Sequence, residues 1–259
     1  MILGAIFDMG GTLLDYGGAR GWRHAWRSAC VAVHTALRVA GHSLDFDLVC
    51  DTLRAVEDRL WFDAIAGTGS TTLDVELAEV LASLGIEPTA TLIGNARDAY
   101  GRGLQSTCEV YDDSVSTLVA LRAAGLRIGL ISNTIVPGSV HVHDLERFGL
   151  LPLFDDLLFS ADAGLWKPDP AVFQLSLRNL GLRADEAVFV GDRMIDDVWG
   201  AQRAGLMGVL KVRDLPDQDY AEGGRRGIRP DATIHRLAEL PALLPRLEGQ
   251  RSGPGQGVP

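Results

Sequence analysis

Apolar positions cluster in two ways along the chain. Four short runs, Met1–Phe7, Leu126–Ile131, Ala187–Val190 and Met207–Val212, are strand-length and end in polar or small residues. Two weaker runs, Leu157–Ser160 and Ala232–Ile234, extend the set. Between them the apolar spacing becomes helical, over Ser114–Ala124, Ser139–Phe148, Pro170–Leu180, Asp197–Ala204 and Leu237–Leu244. Pro170 suits a first helical turn, and Gly125, Gly149, Gly181 and Gly205 stand where helices should stop. Alternation of strand and helix from about residue 110 to 247 predicts a parallel, doubly wound sheet covered by helices.

Residues 17–107 break this rhythm. Helical periodicity covers Trp22–Ala40, Asp45–Ala66, Asp74–Leu84 and Thr89–Arg102, with no strand pattern among them. The expectation is an α/β core of residues 1–16 and 108–247 that carries an all-helical insert, 17–107. Residues 248–259 are Gly/Pro-rich and expected to be disordered, and the polar stretch Leu215–Gly227 to be a loop.

Composition narrows the function. Lys and Arg number 24 against 34 Asp and Glu, a net charge of -10, so the chain lacks the basic surface that nucleic acid or an anionic membrane requires. No apolar run reaches the ~18 residues of a membrane span. The N-terminus lacks a basic flank and meets Asp8, which reads as a buried strand rather than a signal peptide. Cys30, Cys50 and Cys108 are odd in number and far apart, so neither a disulfide framework nor a zinc ribbon is expected, and the cytoplasm is the expected compartment.

The candidate chemistry lies at the ends of the strand patterns, where doubly wound sheets bind ligands. Phe7-Asp8-Met9-Gly10-Gly11-Thr12-Leu13 follows the first run and Ile131-Ser132-Asn133 the second. Lys167-Pro168-Asp169-Pro170 comes next, then Val190-Gly191-Asp192-Arg193-Met194-Ile195-Asp196-Asp197. Four motifs in this order, across nearly the whole chain to about residue 247, resemble the haloacid dehalogenase-like hydrolase superfamily. The resemblance implies a three-layer, Rossmann-like core, and the insert resembles that family's first (C1) type of helical cap, which closes over small-molecule substrates.

It also implies site roles. Asp8 would be the nucleophile, forming an aspartyl-phosphate. Lys167 would stabilise the nucleophile and the transferring group, with Thr12, Ser132 and Asn133 on the phosphate side. Asp8, the Gly10 carbonyl, Asp192 and one or both of Asp196 and Asp197 would hold Mg2+. Two carboxylates ~4 Å apart repel by ~4 kcal/mol at an effective dielectric near 20, which a hard divalent cation relieves. Only one lysine exists besides Lys167, namely Lys211, which makes a lysine inside a motif informative.

One departure matters. The family's phosphatases carry a second Asp two residues after the nucleophile as general acid and base, and here that residue is Gly10. A glycine keeps the carbonyl for metal but supplies no proton, a function worth ~10²–10⁴-fold. Tyr16, Arg20 and His24 are the candidate donors from the insert's entrance. The expected activity is therefore Mg2+-dependent hydrolysis of a small phosphorylated metabolite, by a monomer or homodimer. Two alternatives stay open at this point: a weakly catalytic or inactive protein that binds metal or a phospho-ligand, and a metal-independent, dehalogenase-like hydrolase. Metal dependence separates the two enzymes, and turnover separates either from the binding protein.

Overall fold

The computed structural model describes residues 1–65, 71–213 and 218–251. Six strands form one parallel sheet: β1 (Gly4–Phe7), β4 (Arg127–Ser132), β5 (Asp156–Phe159), β6 (Ala187–Gly191), β7 (Met207–Lys211) and β8 (Ala232–Ile234). Their order is β5-β4-β1-β6-β7-β8. All six were legible as apolar runs because helices cover both faces of the sheet, so the strands need not alternate. Residues of β1, β6 and β7 are buried throughout.

The chain builds outward from β1 on one side through β4 and β5, then crosses to the other side for β6 to β8. The crevice at the carboxyl end of β1 is thus the topological switch point of the sheet. Phe7 is paired with Leu130 on one side and Val190 on the other, which brings the residues following all three strands to one level.

A second, two-stranded antiparallel sheet joins β2 (Leu14–Tyr16) to β3 (Cys108–Val110). The apolar pattern did not predict it. Three-residue strands carry no periodicity of their own, and this pair exists only because the two ends of a long excursion meet. That excursion consists of α1 (Trp22–Val39), α2 (Phe46–Ile65), α3 (Leu73–Ser83) and α4 (Ala90–Gln105). Thr72 and Thr89 cap α3 and α4 through their hydroxyls. α1 and α4 approach closely enough that a Cβ on Gly103 would lie 2.5 Å from the Ala29 Cα. The insertion meets the main sheet where the Leu73 amide donates to the Ile135 carbonyl at 2.7 Å, and where Trp61 packs edge-on against Trp166 with ring centroids 5.2 Å apart.

The remaining helices are α5 (Ser114–Ala123), α6 (Gly138–Arg147), α7 (Ser160–Ala163), α8 (Pro170–Leu180), α9 (Gly200–Arg203), α10 (Gln218–Arg225) and α11 (Leu240–Arg251). Asp169 caps α8, with Pro170 in its first turn and Gly181 ending it at φ 63°. Two expectations need correction. Residues 218–225 form α10 rather than a loop, although polar and glycine residues dominate them. Residues 248–251 belong to α11, whose buried Leu240, Leu244 and Leu247 anchor it past the expected end, while 252–259 lie outside the described residues. Of the insertion's large aromatic side chains, Trp26 is buried, whereas Trp22 and Phe62 are 50% and 72% exposed.

Candidate active site

Asp8 directly follows β1, and its amide donates to the Val190 carbonyl at 2.9 Å. A carboxylate so deep in a sheet needs partners. Lys167 Nζ donates to Asp8 Oδ1 at 2.7 Å, and the Thr12 hydroxyl donates to Asp8 Oδ2 at 3.1 Å. Lys167 also donates to Asp197 Oδ1 at 2.7 Å. Burial alone would lower the affinity of Lys167 for its proton, but Asp197 and Asp8 raise it, so the ammonium stays charged.

Asp8, Asp192 and Asp197 are all buried, and each offers one carboxylate oxygen within 4.8 Å of the other two. Asp192 follows β6. Its Oδ2 accepts from Arg213 Nη1 at 3.0 Å, whereas its Oδ1 is buried without a hydrogen-bond partner among the described residues. Burial first, then the charge of Asp8, pushes the Asp192 carboxyl up to about 6 against the opposing pull of Arg213. Asp197 is pushed up as well, by burial and by Asp8 and Asp192, with Lys167 opposing. An all-oxygen donor set with an orphaned buried carboxylate oxygen fits a hard divalent cation such as Mg2+.

The backbone explains which of two adjacent acids joins the cluster. After Asp192 the chain forms a π-helical turn, Met194–Trp199, in which the Val198 amide donates to the Arg193 carbonyl at 3.1 Å. Asp197 then points inward, and its Oδ2 accepts from the Arg193 amide at 2.9 Å. Gly191 permits this, since a Cβ there would lie 2.3 Å from the Asp197 carboxyl. Asp196 does not join the three. Its carboxylate pairs with the Arg193 side chain at 3.5 Å.

The other expected residues divide by how their side chains are engaged. Ser132 ends β4, is buried, and its hydroxyl makes no hydrogen bond among the described residues. The Asn133 side chain is engaged at both ends by the Lys167 backbone: Nδ2 donates to the Lys167 carbonyl and Oδ1 accepts from its amide, both at 2.8 Å. Thr12 is fully buried with its hydroxyl on Asp8. Asn133 and Thr12 thus contact the catalytic candidates themselves. Gly10 is exposed, and a Cβ built on it would meet only the Tyr16 ring, at 3.7 Å.

Tyr16 is engaged elsewhere. Its hydroxyl donates to Asp144 Oδ2 at 3.1 Å and lies 3.0 Å from His141 Nδ1, while the Thr134 hydroxyl lies 2.8 Å from His141 Nε2. Burial pushes His141 down to about 4, so its ring is neutral, accepting from Thr134 and donating to Tyr16. Arg20 and His24 pair with each other at 3.3 Å on the exposed surface. Sequence reasoning missed His141 and Arg213. His141 had no motif around it. Arg213 and Lys211 stand two apart at the end of a buried strand, a spacing that puts both side chains on one face and gave a usable signal.

Comparison with known proteins follows this geometry. A family model described as haloacid dehalogenase-like hydrolase matches residues 2–205. The chain is 31% identical over 255 residues to a phosphoglycolate phosphatase of Yersinia pseudotuberculosis, covering 96% of this chain and 97% of that one. It is 33% identical over 142 residues to a glyceraldehyde 3-phosphate phosphatase of Methanocaldococcus jannaschii, covering 53% of this chain and 58% of that protein, so it spans less than two thirds of that relative's length. Among solved structures, the 2-haloacid dehalogenase of Pseudomonas syringae pv. Tomato DC3000 superposes with a TM-score of 0.66 at 24% identity, covering 95% of this chain and 99% of that one, a likeness of fold.

Proposed function

Because this chain belongs to the haloacid dehalogenase-like hydrolase family, we propose that it is a Mg2+-dependent phosphatase of a small phosphorylated metabolite. The observation that carries the proposal is the buried Asp8–Asp192–Asp197 cluster, with Lys167 bridging two of its members and Asp192 Oδ1 left without a partner. The phosphatase names of the relatives support the reaction class. Asp8, Asp192, Asp197 and the Gly10 carbonyl would hold the ion. When bound, Mg2+ supplies positive charge against the phosphate and the gathered carboxylates.

The chain's own residues supply the rest. Asp8 Oδ attacks phosphorus, the P–O bond to the leaving group breaks with its electron pair on that oxygen, and an aspartyl-phosphate forms. Thr12 orients Asp8, and Lys167 fixes Asp8 and Asp197 together. The free hydroxyl of Ser132 donates to a phosphoryl oxygen, and Asn133 holds the Lys167 backbone in place. Water then attacks phosphorus, the Asp8 Oδ–P bond breaks with its electron pair on the carboxylate, inorganic phosphate leaves, and the water's proton passes to solvent. The α1–α4 insertion serves as the cap, shielding the site through its contacts at Ile135 and Trp166.

Position 10 bears no side chain to protonate the leaving oxygen, so the preferred substrates are those whose leaving group departs as a stable anion, such as acyl and aryl phosphates. The same glycine favours a second reading, a protein that binds a phospho-ligand with little turnover. Phosphate release from acetyl phosphate, p-nitrophenyl phosphate and an alkyl phosphate, with Mg2+ and with EDTA, decides between them. The proposal expects Mg2+-dependent release from the first two. Gly10→Asp, for which only the Tyr16 ring is near, should raise alkyl phosphate turnover by ~10²-fold or more. No release from any substrate by either protein would leave the binding reading.

A further inference from the structure

The carboxyl end of β7 delivers two cations to the loop after Asp8. Lys211 Nζ donates to the Gly11 carbonyl at 3.0 Å and sits 3.6 Å from the centroid of the Tyr111 ring. Arg213 extends to Asp192 Oδ2, at 3.0 Å, with Tyr111 and Asp15 as further neighbours that feel its charge. Its Nη1 would be 3.1 Å from a Cβ on Gly11, and Asp192 Oδ2 would be 2.4 Å from that same Cβ. Gly11, at φ 89°, is therefore packed directly against the Arg213–Asp192 pair.

Two consequences follow. Arg213 engages one oxygen of Asp192 and leaves the other, Oδ1, buried without a partner. It also places a full positive charge on a carboxylate that the proposed metal site would share. Close packing on Gly11 restrains Asp192 independently of the guanidinium, so charge rather than orientation is the main effect of Arg213.

We propose that Arg213 sets the divalent-cation affinity of the site: its charge, placed on the Asp192 carboxylate that an ion would share, holds that affinity down. The inference rests on the carboxylate cluster being a metal site. In the absence of an ion, Arg213 and Lys167 together offset two of the three buried negative charges. With an ion present, guanidinium and metal repel across the shared carboxylate.

Titration calorimetry with MgCl2, paired with thermal melting in EDTA and in Mg2+, tests this without recourse to turnover. Arg213→Met removes the charge while keeping much of the volume, and with the repulsion between guanidinium and ion gone it should bind Mg2+ about tenfold more tightly than the native protein. Its melting temperature should fall in EDTA, and Mg2+ should raise it by more than in the native protein. Arg213→Lys keeps the charge and should bind within about threefold of native. Arg213→Gln should follow the methionine variant and replaces it if that one does not fold. Native-like or weaker affinity in the uncharged variants, with the native protein binding, overturns the role of Arg213 and leaves the metal site standing. Absence of binding to native and variant proteins alike removes the metal site and this inference together.

Discussion

The sheet core and the helical insertion both bury carboxylates, but they treat them differently. In the core, Asp8 and Asp197 share Lys167, and Asp192 meets Arg213, so the gathered negative charge is largely opposed. In the insertion, Glu76 on α3 is fully buried and neither of its oxygens has a hydrogen-bond partner among the described residues. Burial, and then the charge of Glu57, pushes it up to about 9, so it is held neutral. Glu57 itself accepts from the Trp26 indole at 2.6 Å, and burial pushes it up to about 7. In the core, burial also pushes Asp192 and Asp197 up, but Arg213 and Lys167 oppose that shift and keep cations among the acids. The insertion tolerates an acid by suppressing its ionisation.

Removing a partner should therefore hurt the core, whereas neutralising the lone acid should help the insertion. Lys167→Met strands Asp8 and Asp197 in the interior and should cost about 3–5 kcal/mol in urea unfolding measured without metal. A loss well below 1 kcal/mol would mean that the two carboxylates need no ammonium.

Glu76→Gln should act in the opposite direction and depend on pH. The folded protein holds the Glu76 proton up to about pH 9, whereas the unfolded chain releases it near the ordinary value of 4.5. Proton binding by the folded state thus favours folding fully at low pH, and that advantage is lost as pH rises toward 9. Glu76 alone contributes a slope of about 1.4 kcal/mol per pH unit across that window, and glutamine abolishes it. Unfolding midpoints at pH 6 and pH 8.5 should show the variant gaining on the native protein as pH rises. Parallel profiles would show that Glu76 ionises normally in the folded state.

The sequence made much of this visible, for reasons that also explain what it hid. Six sheet strands were legible because a strand covered on both faces is a continuous apolar run, and Pro170–Leu180 because its cap and stop residues bracket it. Asp8 and Asp192 were legible because each stands just beyond an apolar run, and Lys167 because the chain holds only one other lysine. The choice between Asp196 and Asp197 was not, since a π-helical turn, rather than a regular helix, decides which of them points inward. Thr12 and Asn133 were found as residues, but a motif does not reveal that their polar atoms face Asp8 and the Lys167 backbone. The solitary state of Glu76 was equally hidden, because an acid on an amphipathic helix looks solvated until its neighbours are known.

The proposed reaction stands or falls with Asp8 as the residue that takes up the phosphoryl group. Acid-quenching the protein during turnover of acetyl phosphate, followed by peptide mass analysis, tests it most directly. The account predicts one added phosphoryl group on the peptide containing Asp8, formed with Mg2+, absent with EDTA and absent from Asp8→Asn. Turnover with that peptide unmodified under conditions that preserve acyl phosphates, or with the group on another residue, would contradict it.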